Sequence, residues 1–109
     1  MAKAKFIQDG KIIYFTATAE VGYNDIVPIG GIVGVAAEAI PSGGTGGVRL
    51  TGVYEMPAAA ETMEVGDVLY WDNSNRYVTK TKSELTCVAG IAVSKKTSSS
   101  AGTVLCRIG

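Results

Sequence analysis

Along this chain, hydrophobic residues recur in short runs that alternate with polar ones and are interrupted by glycine, proline and asparagine, the period of β-strands rather than helices. The alternation is cleanest from Val48 to Met56. There Val48, Leu50, Tyr54 and Met56 fall on one face and Arg49, Thr51 and Glu55 on the other, which predicts one buried and one wet face. The same reading turns Cys87, Ala89, Ile91 and Val93 inward on a late strand, and Val104, Cys106 and Ile108 inward on the last. Lys11 to Thr18 reads as a strand, turned back from Lys5-Phe6-Ile7 by the Asp9-Gly10 pair, whose tolerance of positive φ suits a hairpin. Asp25 to Ile29 and Ile32 to Ala37 form a second hairpin about Gly30-Gly31, with Pro28 confining its strand to an edge or a bulge. A third joins Val68–Asp72, entered through the turn Val65-Gly66-Asp67, to Arg76–Lys80 across Asn73-Ser74-Asn75.

Two segments depart from this pattern. Pro41 to Gly47 carries almost no side-chain volume and reads as a flexible exposed loop. Pro57 is expected to stop its strand, and Ala58 to Glu64 (AAAETME) gathers good helix formers, predicting one short helix of at most two turns. Nine or so short strands with regularly spaced turns predict an all-β fold, a small antiparallel barrel or sandwich with that one helix. A chain of 109 residues is too short for two independent cores, so residues 1–109 are expected to form a single domain.

Composition narrows the function. With 47% hydrophobic and 18% charged residues the chain can build a core. Ten basic residues cancel ten acidic ones, which removes the electrostatic footprint of nucleic-acid binding. Lys3, Lys5, Lys95 and Lys96 are expected to be solvated. Met1 to Gly10 has no apolar signal region, and the apolar stretch from Ile26 to Ala37 is broken by Pro28 and glycines, so neither a signal peptide nor a membrane span is expected, and the protein is read as cytoplasmic in origin. Cys87 and Cys106 are too few for a disulfide scaffold and lack metal-site spacing; both are expected to be reduced core residues.

No histidine is present, which excludes Ser-His-Asp and Cys-His nucleophile activation and histidine-ligated metals. The carboxylates Glu55, Glu61, Glu64, Asp67 and Asp72 fall at strand exits, turns and the expected helix, where solvated groups are ordinary. Neither glycine-rich segment fits a phosphate loop: Ser42–Gly47 lacks a following Lys-Ser/Thr and enters a strand, and Gly30–Gly34 lies between strands. No catalytic residue, metal site or cofactor is therefore assigned. Tyr70 and Trp71 are neighbours in one strand and must face opposite sides, so one is expected in the core and the other exposed or at a subunit contact. Tyr23, in a turn-like stretch with Asn24 and Asp25, carries the same two readings.

Gly52-Val53-Tyr54-Glu55-Met56-Pro57, then Val65-Gly66-Asp67-Val68-Leu69-Tyr70-Trp71-Asp72, then Gly90-Ile91-Ala92-Val93 and the closing Gly102-Thr103-Val104-Leu105-Cys106-Arg107-Ile108 resemble a family of phage capsid cement proteins. The resemblance runs in order through nearly the whole chain, and its most specific element is Gly-Asp-x-x-Tyr-Trp-Asp. It implies a β-rich, non-enzymatic protein, commonly oligomeric and often trimeric. Such a protein sits on the outside of an icosahedral head and clamps neighbouring capsomers after expansion. The implied partner is the major capsid protein, with no nucleic acid, membrane or small molecule, and the implied location is the virion exterior after synthesis in the host bacterial cytoplasm. Some relatives carry a recombinase label, which this chain does not support, having no Walker loop and far too little length. Lys3, Lys5, Phe6, Tyr23, Thr45, Tyr70 and Trp71 are the candidate capsid or subunit contacts. Met1 to Phe6, a possible flexible N-terminal arm, and the Ser42 to Gly47 loop are the segments expected to order on binding. The competing reading is a small β-barrel module that docks a peptide or a regulatory partner.

Overall fold

A computed structural model describes residues 2–6 and 10–109. Nine strands follow one another: β1 (Ile12–Thr16), β2 (Ile26–Ile29), β3 (Ile32–Ala36), β4 (Thr45–Arg49), β5 (Gly52–Ala58), β6 (Val68–Asp72), β7 (Tyr77–Thr79), β8 (Val88–Ala92) and β9 (Gly102–Ile108). All belong to one hydrogen-bonded sheet system. The fold is all-β, and no helix occurs among the described residues.

Two regions can be told apart by their pairings. In the first, β8 pairs with β6, β6 with β7, β7 with β5, β5 with β9 and β9 again with β8, so the pairings return to their starting strand in a ring of five. Inside it Met56, Met63, Leu69, Trp71, Val78, Val104, Cys106 and Ile108 pack with Val33 and Val35 of β3. In the second, β3 carries the sheet outward from β8 to β4 and then β1, with β2 folded back on β3. This ribbon has its own small core of Ala17, Ile40 and Val48, flanked by Ile13, Phe15, Val21 and Ile29. The whole is a plate of 42 × 41 × 24 Å.

Several sequence expectations are corrected here. Lys5 and Phe6 do not form the expected first hairpin: both lie outside any strand, and β1 pairs with β4. Ile7 and Asp9, the rest of that expectation, lie outside the described residues. Gly46 and Gly47 are not loop but buried strand, facing Phe15 and Tyr14 across the β1–β4 ladder. A Cβ on Gly46 would come within 2.6 Å of Ile40 Cγ1, so glycine there allows close approach rather than mobility. The turn before it is pinned, because Gly43 N–H donates to Ala17 O (2.8 Å) and Ala17 N–H to Gly44 O (2.9 Å).

The run from Val48 to Met56 is two strands broken at Leu50-Thr51, and Pro57 lies inside β5 opposite Thr103. Leu105 turns its carbonyl toward Val93 N–H and its own N–H toward Ser94 Oγ, away from β5. By the alternation of an antiparallel ladder, Pro57 occupies the same kind of position, so the N–H it lacks would point where β5 has no partner before Ala58.

The expected helix at 58–64 gives way to tertiary structure. Ala58 is held between Gly102 and Val78, Ala59 N–H donates to Val78 O (2.9 Å), and Met63 exchanges backbone hydrogen bonds with Lys96 (2.9 Å each) while its side chain fills the ring. Two turns of helix are marginal alone, and burying Ala58, Ala59 and Met63 in an extended path outweighs their propensity.

Ile91 and Val93 do not point inward. The register of β6 on β8 slips between Leu69 and Tyr70: Leu69 faces Gly90 and Tyr70 faces Val88, leaving Ala89 as the extra residue of a bulge. The bulge resets the alternation, so Ala89 and Ala92 are buried while Val88, Ile91 and Val93 face out. Gly90 permits it, because a Cβ there would run into the carbonyl oxygen of Arg107.

Candidate functional site

The seven sequence-selected residues fall in three places. Lys3, Lys5 and Phe6 are exposed in the leading segment, Phe6 at 81%. Thr45 is exposed at the start of β4, its Oγ1 2.9 Å from Thr16 Oγ1. Tyr23 is exposed in the turn before β2, where Gly22 N–H donates to Asp25 Oδ2 (2.8 Å) and Asn24 takes φ 66°. Trp71 is the buried member of its pair, and its Nε1–H donates to Asn73 Oδ1 (3.2 Å). Tyr70 is the outward one, half-buried and opposite Val88.

Tyr23 and Trp71 do meet across a cleft of about 670 Å³ between the β2–β3 hairpin and β5–β6, lined also by Tyr54, Arg49, Arg76 and Glu55. Arg49, Arg76 and Asp25 line the cleft, which therefore carries both signs of charge.

Sequence reasoning missed a different surface. On the outside of the ring the register aligns Val53 with Arg107, Arg107 with Ile91, and Ile91 with Val68, a single row across β5, β9, β8 and β6. Leu105 and Val93 lie beside this row, and Val88 and Ile32 extend it onto β3. All seven aliphatic side chains are at least one-third exposed, from 36% at Val93 to 54% at Val53. The signal was present in Val68-Leu69-Tyr70-Trp71, since burying Leu69 and Trp71 obliges Val68 and Tyr70 to face out. A strand apolar on both faces hides such a surface from a pattern search.

Near Glu61 a polar node holds one end of the ring. The Glu61 carboxylate accepts from Thr79 Oγ1, from Lys80 N–H (2.7 Å) and from Thr81 Oγ1 (3.0 Å). Burial pushes its pKa up, but those three hydrogen bonds and the nearby Lys80 charge outweigh burial and hold the carboxyl below its ordinary value. Lys96, expected in solvent, is buried: its ammonium donates to the carbonyls of Glu61 and Ser98 (2.7 Å each) and of Ser100. Two other carboxylates hold turns. Asp67 accepts from Glu64 N–H (2.9 Å), and Asp72 accepts from Ser74 N–H, Asn75 N–H and Asn75 Nδ2, bonds that hold its pKa down. Cys106 is buried with its thiol pushed up to about 11 by desolvation, and half-buried Cys87 donates from Sγ to Ile32 O (3.2 Å); both are free thiols. The Glu61, Asp67, Asp72 and Lys96 contacts tie turns and strand ends together.

No curated protein and no solved structure gives a significant match to the chain. A family model described as phage cement protein matches residues 7–108, and the chain therefore belongs to the phage cement protein family.

Proposed function

We propose that this protein decorates the outside of an assembled phage head, binding the major capsid protein and stabilising the shell by bridging neighbouring capsomers. The observation that carries this reading is the family match across residues 7–108. The shape supports it. A plate 24 Å thick and about 42 Å across covers a joint between subunits while adding little height. Each copy needs only modest contacts, because many copies on one shell turn them into avidity. The chain acts as one domain in a homo-oligomer, with a trimer favoured, made in the host bacterial cytoplasm and ending on the virion exterior. Its five-strand ring of pairings supports reading that region as a small barrel. The role is structural, without catalysis, cofactor, nucleic acid, membrane or small-molecule substrate.

Attachment uses the exposed leading segment with Lys3, Lys5 and Phe6, together with the ribbon side that presents Thr45 and Tyr23. The test is co-sedimentation of the protein with expanded and unexpanded empty heads built from the neighbouring capsid gene. Saturable binding to expanded heads at a stoichiometry matching a symmetry site is expected, and deleting Met1 to Lys5 is expected to weaken it while leaving the β-sheet spectrum unchanged. Absence of binding to either form of head would overturn the proposal and favour a module docking a peptide in the Tyr23–Trp71 cleft.

A further inference from the structure

We infer that the aliphatic outer face of the ring, centred on Ile91 and Val68, is where one copy of this chain packs against a second copy. The inference deepens the oligomeric part of the proposed function and names the surface that carries it.

Its first support is area and composition. Val53, Val68, Val88, Ile91, Val93, Leu105 and Ile32 expose roughly 500 Å² of aliphatic surface, near the upper end of what a monomer leaves to water. The adjoining Arg107, Glu55, Tyr70 and Leu50 widen the face toward the roughly 800 Å² that one partner gives to a stable interface. Exposed apolar residues are ordinary when scattered, but here the strand register sets four side chains in one row, three of them aliphatic.

The second support concerns which partner such a face suits. A surface that must stay wet until a late partner arrives is expected to mix polar and aromatic groups among its apolar ones, whereas permanent interfaces between identical chains are more apolar. This face has a centre of valine, isoleucine and leucine, with Arg107 as the charge in its main row. A second copy comes from the same messenger and is present as soon as the chain folds, so it covers the face at once.

The third is charge. Arg107 and Glu55 lie on the same outer surface of adjacent strands, and among the described residues neither forms an ion pair within its own chain. Apposing two copies so that Arg107 of one meets Glu55 of the other gives the reciprocal pairing that a symmetric contact requires. Ten positive and ten negative residues leave no net repulsion between copies.

The experiment is light scattering after size exclusion on the full chain and on Ile91→Lys, Val68→Lys and Leu105→Lys, with Tyr14→Lys on the exposed side of β1 as control. Circular dichroism selects the variants that keep the native β-sheet spectrum. Wild type and Tyr14→Lys are expected at a whole-number multiple of the single-chain mass, and the folded ring-face variants at the single-chain mass. A monomeric wild type at about 50 μM, or folded ring-face variants that keep the multiple, would overturn the inference. A monomeric wild type whose Ile91→Lys variant loses binding to heads would overturn it too, by assigning the face to the capsid. A multimer split by Ile91→Lys that binds no heads would uphold this inference while removing the cement reading.

Discussion

The ring and the ribbon are built from the same short strands, yet they are held by different means. Around the ring each strand finds two neighbours, so no edge is left over except where β7 and β5 touch at a single pair, and thirteen buried side chains converge between the strands. In the ribbon, among the described residues, β1 pairs only with β4, β2 only with β3, and three buried residues form the core. What the ribbon lacks in side-chain volume it makes up in backbone closeness: Gly46 lies under Ile40, and Gly47 N–H donates to Glu38 Oε2 (3.2 Å). Stability therefore belongs mainly to the ring. The ribbon, with β1 at its edge, Tyr14 83% exposed and the leading segment before it, is the part free to adapt to a partner.

Matched truncations test this difference most strongly. Leu69 and Ile40 are both fully buried, one in each core. Truncating a buried leucine or isoleucine to alanine costs about 2–5 kcal/mol, more where surrounding atoms cannot close the cavity. Leu69→Ala is expected near the upper end, because closed pairings fix the strands around it. Ile40→Ala is expected near the lower end, because glycine-lined strands can settle inward. Urea denaturation measures both, and equal losses would break the distinction. Hydrogen exchange sharpens it, with β1 and β4 amides expected to exchange ahead of those in β5 and β9.

The next effect in size separates two adjacent lysines. Lys96→Met would leave the carbonyls of Glu61, Ser98 and Ser100 without their donor where the 97–101 segment closes over the ring, an expected loss of about 1–3 kcal/mol. Lys95 reaches only an exposed Glu64 at 3.9 Å, so Lys95→Met is expected to change stability by less than about 0.5 kcal/mol. Similar losses for both in urea denaturation would mean that the Lys96 ammonium does not anchor that segment.

These lysines also show where the sequence was legible. Alternation identified the all-β class and most strands, since Val104, Cys106 and Ile108 are inward, and Gly30-Gly31 turns β2 into β3. It failed where a residue's neighbours come from far along the chain. Lys96 looks solvated because nothing local says that three carbonyls converge on it. Ala58–Glu64 looks helical because the strands that extend it, β7 and β9, lie some 20 and 45 residues downstream. The outer face was lost to a single bulge, which turned Ile91 outward and left Val68, Val53 and Arg107 to meet it. Of the candidate contacts, the Tyr70–Trp71 division was readable from alternation alone, while the cleft joining Tyr23 to Trp71 needed the third dimension.

The smallest effect is a pH dependence that should arise on the ring side. Glu61 anchors the segment after β5 to the end of β7, and Asp72 holds the β6–β7 turn; both carboxyls are held below their ordinary values. A carboxyl whose pKa is lower folded than unfolded contributes stability that is fully present above the unfolded value and is lost as pH falls through the folded one. For Glu61 the ordinary value is 4.5, so the melting temperature of the wild type should hold steady above that pH and decline below it. Glu61→Gln keeps an acceptor for Lys80 N–H but cannot titrate. The variant is expected to start somewhat less stable at neutral pH and to lose less on acidification, so that the two melting curves converge as pH falls below 4.5. Asp72 retains its own contribution, so some acid dependence should survive the substitution. Parallel curves would show that Glu61 is bonded equally well in the unfolded chain, and that the seal on the ring rests on Lys96 alone.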